Sequence, residues 1–153
     1  MTNSLPDQVK NYRYVSPMLA TAGQPSEQQL AAIAAAGYEV VINLALHNDP
    51  NYSLPDEGLT VAALGMHYIH IPVYFDNPTK ANLDSFFAAM AQTSGKKRWL
   101  HCAANYRVTA FLGLYWTLVE NQPREQAFAL RQQVWEPNAT WATFIADQLQ
   151  SPQ

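Results

Sequence analysis

Apolar residues recur at three- and four-residue spacing in some stretches and form short unbroken runs in others, and from residue 26 onward the two patterns alternate. Before that point, Tyr12 to Val15 alternates weakly and predicts an edge strand, with Met18 to Ala22 as its partner. Ala22-Gly23-Gln24-Pro25 reads as a turn. Ser26 is a good N-cap, and Gln29 is its capping-box partner. The helix they open runs to about Ala36, presents Leu30, Ile33 and Ala34 on one face, and stops at Gly37. Tyr38 to Leu44 is apolar at nearly every position, as in a strand covered on both faces. A polar loop follows from Ala45 to Pro55, then a short helix from Asp56 to Leu64 that ends at Gly65. His67 to Val73 reads as the next buried strand, its regular pairing ended by Pro72. After the loop from Tyr74 to Thr79, a long helix carries Leu83, Phe86, Phe87 and Met90 on one stripe and ends near Gly95. Lys97 to His101 predicts a short buried strand, and Ala110 to Leu118 a helix. Pro123 opens a further helix that reaches Val134. Trp135 to Asn138 is a break, and Asn138 caps a last helix with Trp141, Phe144, Ile145 and Leu149 facing inward.

This alternation predicts an α/β fold with a mostly parallel central sheet and helices on both faces. In such sheets ligands bind beyond the carboxyl ends of the strands. The loops after Leu44, Val73 and His101 are therefore expected to share one rim. Residues 1–10 are polar and expected to be loose, leaving 11–150 as a single domain. The chain has 153 residues, of which 48% are hydrophobic, enough for one sizeable core. The net charge of −3 gives no sign of nucleic-acid binding, and Lys96-Lys97-Arg98 reads as a solvated lead into its strand. No stretch approaches the ~20 apolar residues of a membrane span. The single cysteine excludes an internal disulfide and fits a reducing compartment. The N-terminal residues show no basic and apolar leader pattern, so a cytoplasmic protein is expected, with a periplasmic origin and a removed leader left open.

That cysteine, Cys102, sits where the Lys97–His101 strand turns toward the next helix, with Arg107 close behind. Such a turn aims backbone N–H groups at one point, and the helix N-terminus adds positive potential there. Arg107 brings a planar fork of donors that fits a tetrahedral oxyanion. A thiolate at the mouth of this nest is stabilised and becomes a nucleophile beside a bound oxyanion. The plainer reading makes Cys102 a small core residue and Arg107 a surface ion-pair partner. His47, His67 and His70 have no helical i, i+4 pair and no second cysteine beside them, so they read as core or rim residues, and no metal or other cofactor is expected.

The segment His101-Cys102-Ala-Ala-Asn-Tyr-Arg107 resembles the signature loop of the cysteine-dependent protein phosphatases. Thr21-Ala-Gly-Gln-Pro-Ser26 and Tyr68-Ile-His-Ile-Pro-Val73 resemble segments of the small bacterial dual-specificity phosphatases. More narrowly, residues 12 to 148 resemble the nonclassical phosphatase-like family DUF442. The resemblance implies a phosphotyrosine-phosphatase-like fold and a cysteinyl-phosphate mechanism. Cys102 would attack phosphorus, and Arg107 with the backbone amides of Ala103, Ala104, Asn105, Tyr106 and Arg107 would hold the oxygens. His101 would orient the loop and keep Cys102 ionised. A carboxylic acid on another loop would protonate the leaving oxygen. Asp76 is the candidate, with Asp49, Asp56, Glu57 and Glu136 as alternatives. Tyr74, Phe75 and Tyr106 are candidate walls for a phenyl ring. The chain departs from the pattern in three ways. The loop is one residue shorter than usual, Asn105 replaces the usual glycine, and Val108 replaces the hydroxyl beside the arginine, with Thr109 one position later.

The expected partner is a phosphorylated substrate, either a phosphotyrosine protein or a small phosphomonoester, or inorganic phosphate or sulfate. Two other functions use the same turn: a rhodanese-like sulfurtransferase with a Cys102 persulfide, and a non-catalytic phosphate-binding module.

Overall fold

The computed structural model describes residues 5–150. Residues 1–4, part of the segment expected to be loose, lie outside the described residues, as do 151–153. The apolar runs become short strands that are buried at the centre of the sheet, whereas the two edge strands, His67–His70 among them despite the expectation of a buried strand, are only partly covered. β1 (Arg13–Ser16) and β2 (Leu19–Ala22) pair antiparallel, and β2, β3 (Val40–Asn43), β4 (His67–His70) and β5 (Arg98–His101) run parallel, in the order β1-β2-β5-β3-β4. Ala22 and Asn43 both pair with His101, and His70 pairs with Asn43. The carboxyl ends of the four parallel strands are therefore level, and the loops that follow them share one rim, as expected.

Alternate residues of each strand face opposite layers. On one face Ala20, Val41 and Trp99 pack with Leu30 and Ile33 of α1 (Glu27–Ala35) and Val61 of α2 (Glu57–Ala63). On the other, Leu19, Ile42 and Leu100 pack with Leu83 and Phe86 of α3 (Lys80–Gln92), Phe111 of α4 (Tyr106–Leu118) and Trp141 of α7 (Ala139–Gln150). Ser26 and Gln29 form the expected capping box. Among the described residues, no helix is long and apolar enough to cross a membrane.

Three expectations are corrected. The residues up to 10 are not all loose: Pro6–Gln8 is a 3₁₀ turn, Val9 is buried, and the carbonyl of Lys10 accepts from Gly23 N–H at 2.7 Å. The single helix expected after Pro123 is two, α5 (Arg124–Ala127) and α6 (Ala129–Val134), broken at Phe128. The Phe128 ring lies against Gly113 of α4, where a Cβ would overlap it, so core packing wins over helix continuity. Finally, α4 starts at Tyr106 rather than Ala110, because Asn105 adopts a left-handed conformation at φ 70° and lets the helix begin at once.

Candidate active site

Residues 102–105 make the whole turn from β5 to α4. Its backbone is pinned from outside. The carbonyl of Ala103 accepts from Gln24 N–H at 3.0 Å, and that of Ala104 accepts from Asn11 Nδ2 at 2.9 Å. In a trans peptide the N–H points opposite the carbonyl, so the amides of Ala104 and Asn105 are turned away from these anchors. Asn105 is fully buried, and its Nδ2 donates to the Asn11 carbonyl and to Thr21 Oγ1, each at 2.9 Å. Asparagine thus fills the glycine position and ties the turn to β2 as well.

Gly23 marks how closely the turn lies on β2. A Cβ there would stand 2.5 Å from the Ala103 oxygen and 3.2 Å from the Ala104 Cα, both backbone atoms. Gly23→Ala is expected to cost about 1–3 kcal/mol, as for overpacking in a core, because the turn must shift. Denaturant unfolding checks this.

Cys102 is fully buried at the floor of the turn. Arg107, in the first turn of α4, is 5% exposed. Its Nη1 donates to the Val73 carbonyl at 2.7 Å, and the rings of Tyr52 and Phe75 each lie 5.8 Å from its guanidinium carbon. Val73 is in reach because pairing continues past β4, with Ile71 N–H donating to Asn43 and Val73 N–H to Leu44. No carboxylate among the described residues forms an ion pair with Arg107, and its Nε has no hydrogen-bond partner. A buried cation without a counter-charge is costly. Here it sits beside the only thiol of the chain, on a cavity of about 320 Å³.

Cys102, Ala103, Ala104, Tyr106 and Arg107 line that cavity from the turn. Asp49, Asn51 and Tyr52 line it from the loop after β3, and Phe75 from the loop after β4. Asp49 is the carboxylate the structure brings to the cavity. Its Oδ1 accepts from Asn51 N–H at 2.9 Å, which holds the side chain in place.

Asp76, the expected acid, is exposed and does not line the cavity. Its neighbour Phe75 takes the inward position, because the Phe75 carbonyl accepts from Trp141 Nε1 at 2.6 Å and its ring packs against Trp135, Trp141 and Tyr106. Glu136 is exposed beside Arg131, and Asp56 is an exposed left-handed residue preceding α2. Glu57 is buried and paired with His101 at 2.5 Å. Thr109 does not support the thiol either: its hydroxyl donates to the Asn105 carbonyl at 2.8 Å and accepts from Trp135 Nε1 at 3.2 Å, fixing the start of α4. Of the expected aromatic walls, Phe75 and Tyr106 line the cavity, whereas Tyr74 is exposed. His47, His67 and His70 do not line the cavity. His47 stacks on His70 with centroids 3.6 Å apart, His70 Nε2 donates to the Ala45 carbonyl at 2.6 Å, and His67 is exposed.

Residue types alone gave no cue to Tyr52, Asn11, Trp135 or the Val73 carbonyl. Tyr106 stacks flat on Trp135, with centroids 4.6 Å apart and planes within 5°, and this contact joins residues far apart in the chain.

The strand order and the cysteine–arginine turn at the head of α4 define a class. The fold is that of the protein-tyrosine-phosphatase-like phosphatases. Within that class the chain belongs to the DUF442 family, since the family model of the beta-lactamase hydrolase-like protein, phosphatase-like domain, matches residues 11–127. A DUF442 protein of Shewanella putrefaciens CN-32 is 34% identical, with a TM-score of 0.81 and 94% of each chain covered. The beta-lactamase hydrolase-like protein of Xylella fastidiosa (strain Temecula1) is 28% identical over 118 residues, 76% of this chain and 27% of that protein. The chain thus spans little more than a quarter of the length of the curated relatives it matches. TpbA of P. aeruginosa, crystallised with phosphotyrosine, shares the fold at 16% identity with a TM-score of 0.64, covering 86% of this chain and 74% of that one.

Proposed function

We propose that this domain hydrolyses phosphomonoesters, aryl phosphates such as phosphotyrosine among them, through a cysteinyl-phosphate intermediate. The observation that carries this reading is the buried Arg107, without a carboxylate partner, beside Cys102. An oxyanion is the charge that this site lacks. The Cys102 thiolate attacks phosphorus, and the ester P–O bond breaks as Asp49 gives its proton to the leaving oxygen. Water then attacks the phosphocysteine, Asp49 takes its proton, the P–S bond breaks, and phosphate leaves. Arg107 and the turn amides stabilise the charge on the equatorial oxygens in both steps. Tyr52, Phe75 and Tyr106 offer apolar walls to a phenyl group.

The test is hydrolysis of para-nitrophenyl phosphate by the purified domain. Asp49→Asn is expected to lower kcat by ~10²–10⁴-fold, the usual worth of a general acid and base. Asp76→Asn is expected to leave the rate near wild type. The reverse pattern would return the acid to the loop after β4, and no wild-type turnover of any aryl phosphate would overturn the reading. Persulfide transfer and phosphate sensing demand no acid at position 49, so the same variant separates them from hydrolysis.

A further inference from the structure

Beneath the turn lies a buried polar layer that neither chemical step uses. His101 and Glu57 are 0% and 1% exposed, with His101 Nε2 2.5 Å from Glu57 Oε2. On its other side, His101 Nδ1 lies 3.2 Å from the carbonyl oxygen of Cys102. The second carboxylate oxygen, Oε1, accepts from Gln24 Nε2 at 2.7 Å. Both ring nitrogens of His101 therefore face acceptors. Only the doubly protonated imidazole donates to both; a neutral ring would turn a lone pair onto one of them. Among the described residues, Glu57 is the one carboxylate paired with that ring, and it arrives from the first turn of α2, not from a rim loop.

We propose that Glu57 is a positioning residue for the nucleophile: it holds His101 as an imidazolium whose second N–H fixes the Cys102 carbonyl, placing a positive charge under the turn that favours the thiolate. The kinetic part of this rests on the phosphatase reading; the charge arrangement does not. The pair is oriented, with its positive member one peptide from the sulfur and its negative member on the far side of the ring. A positive charge near a thiol lowers its pKa.

The groups facing the pair are compatible with that arrangement. His47 approaches from the loop after β3, and Tyr68 and His70 from β4. The Tyr68 hydroxyl is bonded to Asn43 and His47. Burial alone would push the Glu57 carboxyl up. The charge and hydrogen bond of His101, with the bond from Gln24 and the field of His47, outweigh it and hold Glu57 below the usual carboxylate range.

The test is the ultraviolet titration of the Cys102 thiolate, which reports one group because the chain has a single cysteine, with Cys102→Ser as blank. In Glu57→Gln the thiolate midpoint is expected to rise by about one pH unit, a tenfold fall in thiolate below the midpoint. The acid limb of kcat/KM for para-nitrophenyl phosphate should rise with it. A purely structural role would lower Tm without moving either midpoint. His101→Asn is the second variant, since its amide still donates to the Cys102 carbonyl but carries no charge. It should raise the midpoint equally, and the double variant should raise it no further, because the two side chains act as one unit. An unchanged midpoint in either folded single variant would overturn the proposal, as would shifts that add in the double variant. A protein that hydrolyses no aryl phosphate but shows these shifts would refute the phosphatase reading and leave this one standing.

Discussion

Cys102→Ser is expected to lower hydrolysis of aryl phosphates on the order of 10⁴-fold or more, as for loss of a nucleophile, while leaving phosphate binding intact. A serine hydroxyl is not ionised near neutral pH and needs a base in contact. Among the described residues no base is hydrogen-bonded to this side chain: the adjacent imidazole, His101, has one ring nitrogen on Glu57 and the other on the Cys102 carbonyl. The binding half of the site stays in place, because Arg107 and the turn amides are held by groups other than the thiol: the Val73 carbonyl, Gln24 and Asn11. Inorganic phosphate at a hundred times its Kd should then stabilise the variant by about 2.7 kcal/mol, as it does the wild type. Steady-state hydrolysis and thermal unfolding with and without phosphate read the two halves separately. Residual turnover near the wild-type rate would remove Cys102 from the chemistry.

Arg107→Lys is the second large effect, and it has the opposite profile. One arm of the guanidinium is committed to Val73 at 2.7 Å, and the rest of the fork, including the unpartnered Nε, is left for an oxyanion. A lysine ammonium can replace the first bond or approach the anion, but it lacks the planar fork to do both. If it keeps the bond to Val73, stability changes little, because no buried carbonyl is stranded. Transition-state stabilisation then falls by ~10²–10³ in kcat, the usual cost of losing an oxyanion donor. The rise in Tm with phosphate should disappear in the same variant. Loss of stability with full activity would show that Arg107 only braces the loop after β4.

The difference between these two substitutions follows from where each side chain gets its position, and the same distinction governs what could be read from the chain. Strand and helix types followed from local pattern. Val40 to Asn43 and Arg98 to His101 are covered on both faces, which is why their sequences are apolar without alternation. The Leu83, Phe86 and Met90 stripe of α3 is buried as its spacing requires, with Phe87 at its margin. Ser26 and Gln29 cap α1 through bonds three residues apart, a range over which sequence decides alone. The placement of Cys102 and Arg107 on the turn after β5 belongs to the same class of information, but apolar spacing started the helix at Ala110, and only the left-handed Asn105 brings its start back to Tyr106 and Arg107 into its first turn.

The carboxylate that lines the cavity could not be found that way. Asp76 and Asp49 are both loop carboxylates on the shared rim, and local pattern does not tell which loop residue turns inward. Trp141, sixty-six residues from Phe75, decides it by holding the Phe75 carbonyl. Glu57 looked like a rim acid because it follows a polar loop. The first turn of α2 instead carries it under β5, where His101 meets it across a separation of forty-four residues. Thr109 stood near enough in sequence to serve the thiol, yet the helix geometry that begins at Asn105 sends its hydroxyl back to the Asn105 carbonyl. By itself, then, the sequence determined the α/β order, the level rim and the pairing of one thiol with one arginine, because these rest on periodicity, capping and chain continuity. Tertiary structure alone decided which carboxylate reaches the cavity, what stands under the thiol and why no carboxylate among the described residues pairs with Arg107. Those outcomes depend on contacts between residues distant in sequence, whose free energies arise only once the layers have packed.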